Sequence, residues 1–318
     1  MRWIALAVLA AVATAAPAAT TAAPAACDRA CLYGFLDTYL AALRAKAPDR
    51  GPWSPEVRNT ENNVALRIGD GLWGTVTGIG TYDLRFADPV MGSVGFYGVV
   101  DESGTTSPFS LRLKVERGRI TEIETLVVRK IDAGSPFVDA NLTSKPMLNE
   151  IVPPALRSSR KEMIALADGY FSTLQQNDGT LHTVFDEACN RRENGYQTTN
   201  NQEATKTYGF SMGLGCADQF KLGFFRFDDR LRGRRVLAVD EERGLVMMAA
   251  FIDHSGRLQR YRLTNGQEVT ANVRRPHSFT LLETFKIRSG KIQQVEANFT
   301  TVPYRMPSPW SAAGFDYE

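Results

Sequence analysis

The chain is short of the residue types that build metal and cofactor sites. It has three His and four Cys in 318 residues. None of the His stands in a ligand spacing with the cysteines, which argues against a Cys-ligated metal. No glycine-rich loop leads into a helix, so nucleotide phosphates have no cradle of the usual kind. The stretch "GFSMG" (Gly209 to Gly213) has the spacing of a nucleophile elbow without its strand-to-helix context. A charge excess is also missing. The 37 Lys and Arg face 35 Asp and Glu, leaving no electrostatic footprint for nucleic acid or acidic lipid. Beyond the N-terminus no apolar run is long enough to cross a membrane. The remainder, 43% hydrophobic and 23% charged, suits an ordinary globular core in two domains or one large one.

The N-terminal stretch "MRWIALAVLAAVATAAPAATTAAPAA" has one early Arg, an apolar run from Trp3 to Ala13 and an Ala/Thr/Pro tail. Residues 1–26 therefore read as a secretory signal, cut after Ala15 or Ala25. Pro24, three before Cys27, is not the aliphatic that a lipoprotein site prefers. The expected location is periplasmic or secreted, a setting that permits disulfides. Four Cys allow three pairings. Cys27–Cys31 and Cys189–Cys216 are favoured, because each then lies within one half of the chain. The second closes a loop of about 27 residues and stabilises by about 3–4 kcal/mol in the chain-entropy picture.

The chain says the same thing twice. "CLYGFLDTYLAALRAK" from Cys31 puts Leu32, Leu36, Tyr39 and Leu43 on one helical stripe with Asp28 as cap. "SRKEMIALADGYFSTLQQNDG" from Ser159 repeats it with Met163, Ala167, Tyr170 and Leu174, capped by Ser158 or Ser159. "RNTENN" (Arg58 to Asn63) follows the first helix and "CNRRENG" (Cys189 to Gly195) the second. Each half closes on a hairpin: Phe109 to Val128 turning at Gly118, and Phe279 to Val302 turning at Gly290. From Glu61 to Glu124 there are 63 residues and from Glu193 to Glu296 there are 103. The second half thus carries an insertion, placed around "GFFRFDDRLRGRR" and "HSGRLQRYRLTNGQEVTANVRRPH". The plan is α+β: two tandem cone-shaped domains, each with N-terminal helices packed on a strongly curved antiparallel sheet. Residues 27–130 form the first and 159–305 the second, with a linker at 131–158 and a tail at 306–318.

The order of helix, "EN" corner, sheet and "GRITEIE" hairpin resembles the SnoaL-like branch of the nuclear-transport-factor-2-like (NTF2-like) superfamily. The carriers are "TENN", "GDGLWGT" and "LRLKVERGRITEIETLVVR" in the first copy. In the second they are "CNRRENG", "VDEERGLV", "LLETFKIRSGKIQQVEANFTTVPY" and "MPSPW". The resemblance spans nearly all of the mature chain. It implies a pocket inside the cone and acid/base chemistry there without metal or cofactor. Single copies of such domains dimerise through their sheets; a tandem chain makes that contact internally, or pairs again as a homodimer.

Within the pattern Phe279, Leu281, Phe285, Ile287, Glu283 sits in register with apolar neighbours, where the first copy has Leu111. A carboxyl turned into a cone is desolvated, which raises its pKa toward neutrality and suits it to proton transfer; an ion pair with a nearby Arg is the competing reading. His277 shares the strand parity of Glu283 and Tyr170 lies on the buried stripe, so Glu283, His277 and Tyr170 are the catalytic candidates. Glu193, Asn194, Arg192, Glu296 and Tyr39 are the substrate-binding candidates. For Glu193 and Asn194, whose "EN" recurs at Glu61 and Asn62, an architectural corner is the favoured role. His254, in "DHSG", reads as an exposed turn, and Trp73, Tyr82, Phe96 and Tyr97 as an aromatic filling of the first copy. The function expected is a cofactor-free lyase, dehydratase or isomerase on a small aromatic or polycyclic molecule. The resemblance implies one concrete version, release of formaldehyde from lignin-derived aromatic dimers. The alternative is a non-catalytic tandem-cone protein that binds a small molecule or is purely structural.

Overall fold

The computed structural model describes residues 27–130, 138–143, 145–271 and 273–311. The signal expected at 1–26 and parts of the expected linker and tail lie outside these residues. The first half runs α1 (Arg29–Arg44), β1 (Trp53–Glu61), β2 (Val64–Ala65), α2 (Leu72–Thr75), β3 (Val76–Ile79), β4 (Leu84–Asp88), β5 (Ser93–Glu102), β6 (Thr105–Glu116) and β7 (Arg119–Val127). After the one-turn α3 (Pro146–Asn149) the second half begins with α4 (Arg160–Gln176), β8 (Phe185–Glu193), β9 (Tyr196–Gln197), α5 (Gln202–Tyr208) and α6 (Cys216–Lys221). It continues with β10 (Arg230–Asp240), β11 (Leu245–His254), the small pair β12 (Arg260–Arg262) and β13 (Glu268–Thr270), then β14 (His277–Arg288) and β15 (Lys291–Val302).

Both long helices start where a side-chain oxygen meets an orphan backbone N–H. Cys31 donates to Asp28 Oδ1 at 2.9 Å and Glu162 to Ser159 Oγ at 3.3 Å. The two expected stripes are buried against their sheets. The sheets run β2-β1-β7-β6-β5-β3, with β4 also on β5, and β10-β11-β14-β15-β8-β9. They are not wholly antiparallel: β1 pairs parallel with β7, and β8 parallel with β15. Register shifts at Lys114/Val115 and Lys286/Ile287 occupy the same place in both hairpins. Bulges of this kind bend and twist a sheet, which is how a flat ladder becomes a cone.

The repeated Asn explains the "EN" echo. Asn62 and Asn194 are both left-handed, with φ of 48° and 49°. The Oδ1 of Asn62 accepts from Val127 N and that of Asn194 from Phe299 N, each at 2.8 Å. Each corner ties the end of one sheet strand to the last strand, a conformation that Asn tolerates better than most residues. The insertion divides into two stretches. From Glu61 to Asp88 is 27 residues, against 47 from Glu193 to Asp240; β5 and β6 join directly, whereas β12 and β13 stand between β11 and β14. The first stretch was expected at Gly223 to Arg235. Its helices, α5 and α6, lie upstream of that segment, because β10 already begins at Arg230.

The outer faces of the two sheets pack on each other. Tyr82, Leu84, Phe86, Tyr97 and Leu126 from the first half share a cluster with Leu237, Leu245, Met247 and Leu282 from the second. The sheet-to-sheet contact is therefore made inside one chain. A reciprocal clasp marks it. Buried Asp240 takes Arg29, at the start of α1, at 2.9 Å, and the backbone N of Ala87 at 3.1 Å. Buried Asp88 takes Arg160, at the start of α4, at 3.1 Å, and the backbone N of Val239 at 2.8 Å. Gly92 and Gly244, four residues past each Asp, have φ of 63° and 61°. A Cβ there would meet the carbonyls of Val115 and Ile287 at 2.5 and 2.2 Å, so only glycine fits.

Candidate active site in the second cone

A cavity of about 450 Å³ opens into the second cone. Its walls are mostly apolar and aromatic, with Phe225, Phe279, Leu281 and Phe299 among them, and its polar residues include Tyr170, Arg191, Glu193, Asp228, His254 and Glu283. Alternation along β8 turns Arg191 and Glu193 inward, and alternation along β14 turns Leu281 and Glu283 the same way.

Glu283 is buried, 3% exposed. Burial pushes its carboxyl up to about 8; the Arg191 charge works against that shift, Glu193 adds to it, and a hydrogen bond from Tyr170 opposes it. Arg191 organises the rest. Its Nε lies 2.8 Å from Glu193 Oε1. Its Nη2 donates to Gln219 Oε1 at 2.6 Å and its Nη1 to the Tyr170 hydroxyl at 3.5 Å. Gln219 is itself fixed, donating to the carbonyls of Thr198 and Ser211 at 2.7 Å each. The guanidinium also lies 4.8 Å from the ring centre of Phe225. The Glu193 carboxyl is raised by burial, with Arg191 opposing. The Tyr170 hydroxyl is held well above its usual range by burial and by Glu283, so it stays a donor. A chain of Arg191, Tyr170 and Glu283 results, with Glu193 on the far side of the guanidinium.

The other expected residues are distributed differently. Arg192 and Glu296 alternate to the opposite face. They meet there at 3.6 Å, toward Tyr82 and Lys145 at the junction of the two sheets. Neither reaches the cavity, since one residue of register separates each from a cavity-facing neighbour. Asn194 is the structural corner described above. Tyr39 belongs to the packed core of the first cone with Trp73 and Phe96, whereas Tyr82 and Tyr97 join the cluster between the sheets. His277 starts β14, six residues from Glu283, which is about 20 Å along an extended strand, so the two do not form a proton-transfer pair. His254 is not an exposed turn. It ends β11, is 1% exposed, and its Nε2 lies 2.9 Å from Asp228 Oδ1.

Of the two adjacent arginines the sequence reading favours Arg192 for the substrate, whereas Arg191 lines the cavity, and the Asp228–His254 pair escapes that reading altogether. The signal for Arg191 was present: it shares strand parity with Glu193, and Arg192 does not. Asp228 comes from the insertion, which nothing in the repeat could align. Both disulfides join the cysteines expected, Cys27 to Cys31 and Cys189 to Cys216. They are compatible with an exported protein. Among the described residues no helix is long and apolar enough to cross a membrane, and no group of three or more His, Cys, Asp or Glu could hold a metal ion.

The architecture is the one expected from the sequence, two tandem cones, each a helix packed on a curved sheet. The sequence pattern of the family described as "Domain of unknown function (DUF8021)" matches residues 25–127 and 156–299, and the chain belongs to that family. No curated protein matches it in sequence. Among solved structures it is similar to a de novo designed protein with a curved β-sheet, at 17% identity over 33% of this chain and 93% of that one, TM-score 0.27. It is similar to an NTF2-like protein of unknown function from Cytophaga hutchinsonii, at 11% identity over 31% and 93%, TM-score 0.24. A third is an LEH-like epoxide hydrolase of M. tuberculosis, at 17% identity over 30% and 81%, TM-score 0.24.

Proposed function

We propose that the second cone is a cofactor-free acid/base active site working on a small aromatic or polycyclic molecule, as a lyase, dehydratase or isomerase. The observation that carries this reading is a buried carboxyl, Glu283, whose affinity for its proton is raised to about 8 on the wall of an aromatic cavity. At pH 7 such a group holds its proton. It acts first as an acid toward a substrate oxygen or carbon and then takes a proton back. Tyr170 donates to the carboxylate that forms, and Arg191 lies close enough to stabilise its charge. Burial raises the Glu193 carboxyl too, but its ion pair with Arg191 opposes the shift, and two carboxyls in different surroundings can divide acid and base roles. The aromatic walls favour a flat apolar substrate.

The test is turnover of a panel of aromatic dimers and epoxides by wild type and Glu283→Gln. Formaldehyde is assayed among the products, for the version that acts on lignin-derived dimers. The variant is expected to lose about 100- to 10,000-fold in kcat with little change in KM. Equal turnover by both proteins removes Glu283 from the chemistry. Retention of a ligand without turnover points instead to a carrier. Export to the periplasm belongs to the same proposal, and N-terminal sequencing of the mature protein should begin at residue 16 or 26.

A further inference from the structure

The cavity has a second polar end that the proton-transfer reading does not use. His254, the last residue of β11, faces His277, the first of β14, in the antiparallel ladder. Their rings stack at 4.6 Å between centroids and 19° between planes, and Phe279 meets both edge to face at 4.9 Å. Stacking fixes the imidazoles, and each uses one nitrogen. His254 Nε2 lies 2.9 Å from the carboxylate of Asp228, which can only accept, so that nitrogen carries the hydrogen. His277 Nδ1 lies 2.7 Å from the carbonyl of Arg275, so the same holds there. Burial keeps the His277 ring below the ordinary histidine range, in its neutral form near pH 7.

In the neutral rings the two remaining nitrogens, His254 Nδ1 and His277 Nε2, are lone-pair acceptors. Both are buried and neither has a hydrogen-bond partner. A buried acceptor without a donor is costly, and native proteins rarely keep one without a reason. Here two belong to stacked rings. His254 and Asp228 line the same cavity as Glu283, with Ile252, Phe279 and Leu281 as an apolar wall between. The first half has nothing equivalent: in the matching ladder position Glu102 faces Thr105, and Glu102 is bound to Arg129.

We propose that His254, oriented by Asp228 and stacked on His277, is a second binding pole that accepts a hydrogen bond from a hydroxyl at the far end of an elongated aromatic ligand, whose near end lies at Glu283. This rests on the second cone being the ligand site, and it names the substrate class: aromatic molecules with an oxygen that can accept from Glu283 at one end and a hydroxyl that donates at the other. Monohydroxy compounds of the same length satisfy one pole only. Ethers leave the far pole as empty as hydrocarbons do, because a methoxy oxygen has no hydrogen to give.

The experiment measures binding, not turnover. Hydroquinone, 4,4′-dihydroxybiphenyl and 4,4″-dihydroxy-p-terphenyl are titrated calorimetrically into the mature protein, each beside its monohydroxy and dimethoxy analogues. For at least one length the diol is expected to bind tenfold or more tighter than both analogues. His254→Phe should abolish that preference while leaving the monohydroxy affinity within about threefold, and Glu283→Gln should leave the preference in place. Asp228→Asn provides a check that keeps the histidine, and should shrink the preference by freeing the imidazole to change which nitrogen carries the hydrogen. Diols bound no better than their methyl ethers, a preference that survives His254→Phe, or no binding by any compound overturns the proposal. A preference lost in His254→Phe alongside normal turnover by Glu283→Gln keeps this pole and removes the acid/base reading instead.

Discussion

In the first half Tyr39, Trp53 and Trp73 meet edge to face with centroids 5.5 to 6.1 Å apart, and Leu111 belongs to the same apolar cluster. In the second half Tyr170, Phe185 and Phe220 form a similar triangle at 5.3 to 6.2 Å, with the two Phe rings stacked instead of edge to face. There Glu283 replaces Leu111 and Arg191 replaces Asn59. The inserted segments add Phe224, Phe225 and Phe227 as cavity wall. One cone is thus packed with its own rings, and its twin is furnished with charge and given a wall of rings around open space. Duplication supplied the frame, while two strand positions and two insertions changed the chemistry. A carboxyl such as Glu283 and a guanidinium such as Arg191 inside a cone are costly to stability; the first half has Leu111 and Asn59 in those places, pairs its own Glu61 to Arg129, and keeps an apolar core.

The largest effect expected follows from Arg191. Arg191→Leu leaves the Glu193 carboxyl and Gln219 without their partner and should cost about 3–5 kcal/mol. Its first-half equivalent, Asn59→Leu, removes one hydrogen bond to the Leu66 carbonyl at 3.2 Å and should cost about 1 kcal/mol. Urea unfolding of both variants checks the contrast, and equal costs would erase it. The disulfides come next. Cys189→Ser with Cys216→Ser opens a loop spanning 27 residues and should cost about 3–4 kcal/mol, whereas opening Cys27–Cys31, separated by only 4, should cost about 2 kcal/mol or less. The last is a pH dependence, modest over any one pH unit. The native Glu283 carboxyl keeps a proton between its ordinary value of 4.5 and about 8, where the unfolded one releases it. Its contribution to stability is therefore full below pH 4.5 and falls as pH rises through 8, by at most about 1.4 kcal/mol per pH unit. Glu283→Gln should remove that part of the slope, and an unchanged slope would mean that the carboxyl is ordinary.

Much of this was legible because it repeats. The apolar stripes of α1 and α4, the Gly118 and Gly290 hairpins and the Asn corners each occur twice, and a feature seen twice in register is hard to mistake. Glu283 stood out for the opposite reason: it breaks an apolar alternation that its twin keeps. What escaped were features with no local period. The parallel pairing of β1 with β7 leaves no mark in either strand, since strand direction is set by the path between them. Arg192 and Glu296 look as available as Arg191 and Glu193, and only the face of the sheet separates them. The Asp228–His254 pair joins an insertion to a strand end, a contact that three-dimensional closure creates.

The central claim is that one carboxyl in the later cone is neutral at physiological pH because it is buried. Carbon-13 NMR titration of the Glu283 side chain, assigned by comparison with Glu283→Gln, measures this directly. A midpoint near 8 is predicted, and a midpoint at or below 4.5 would contradict it.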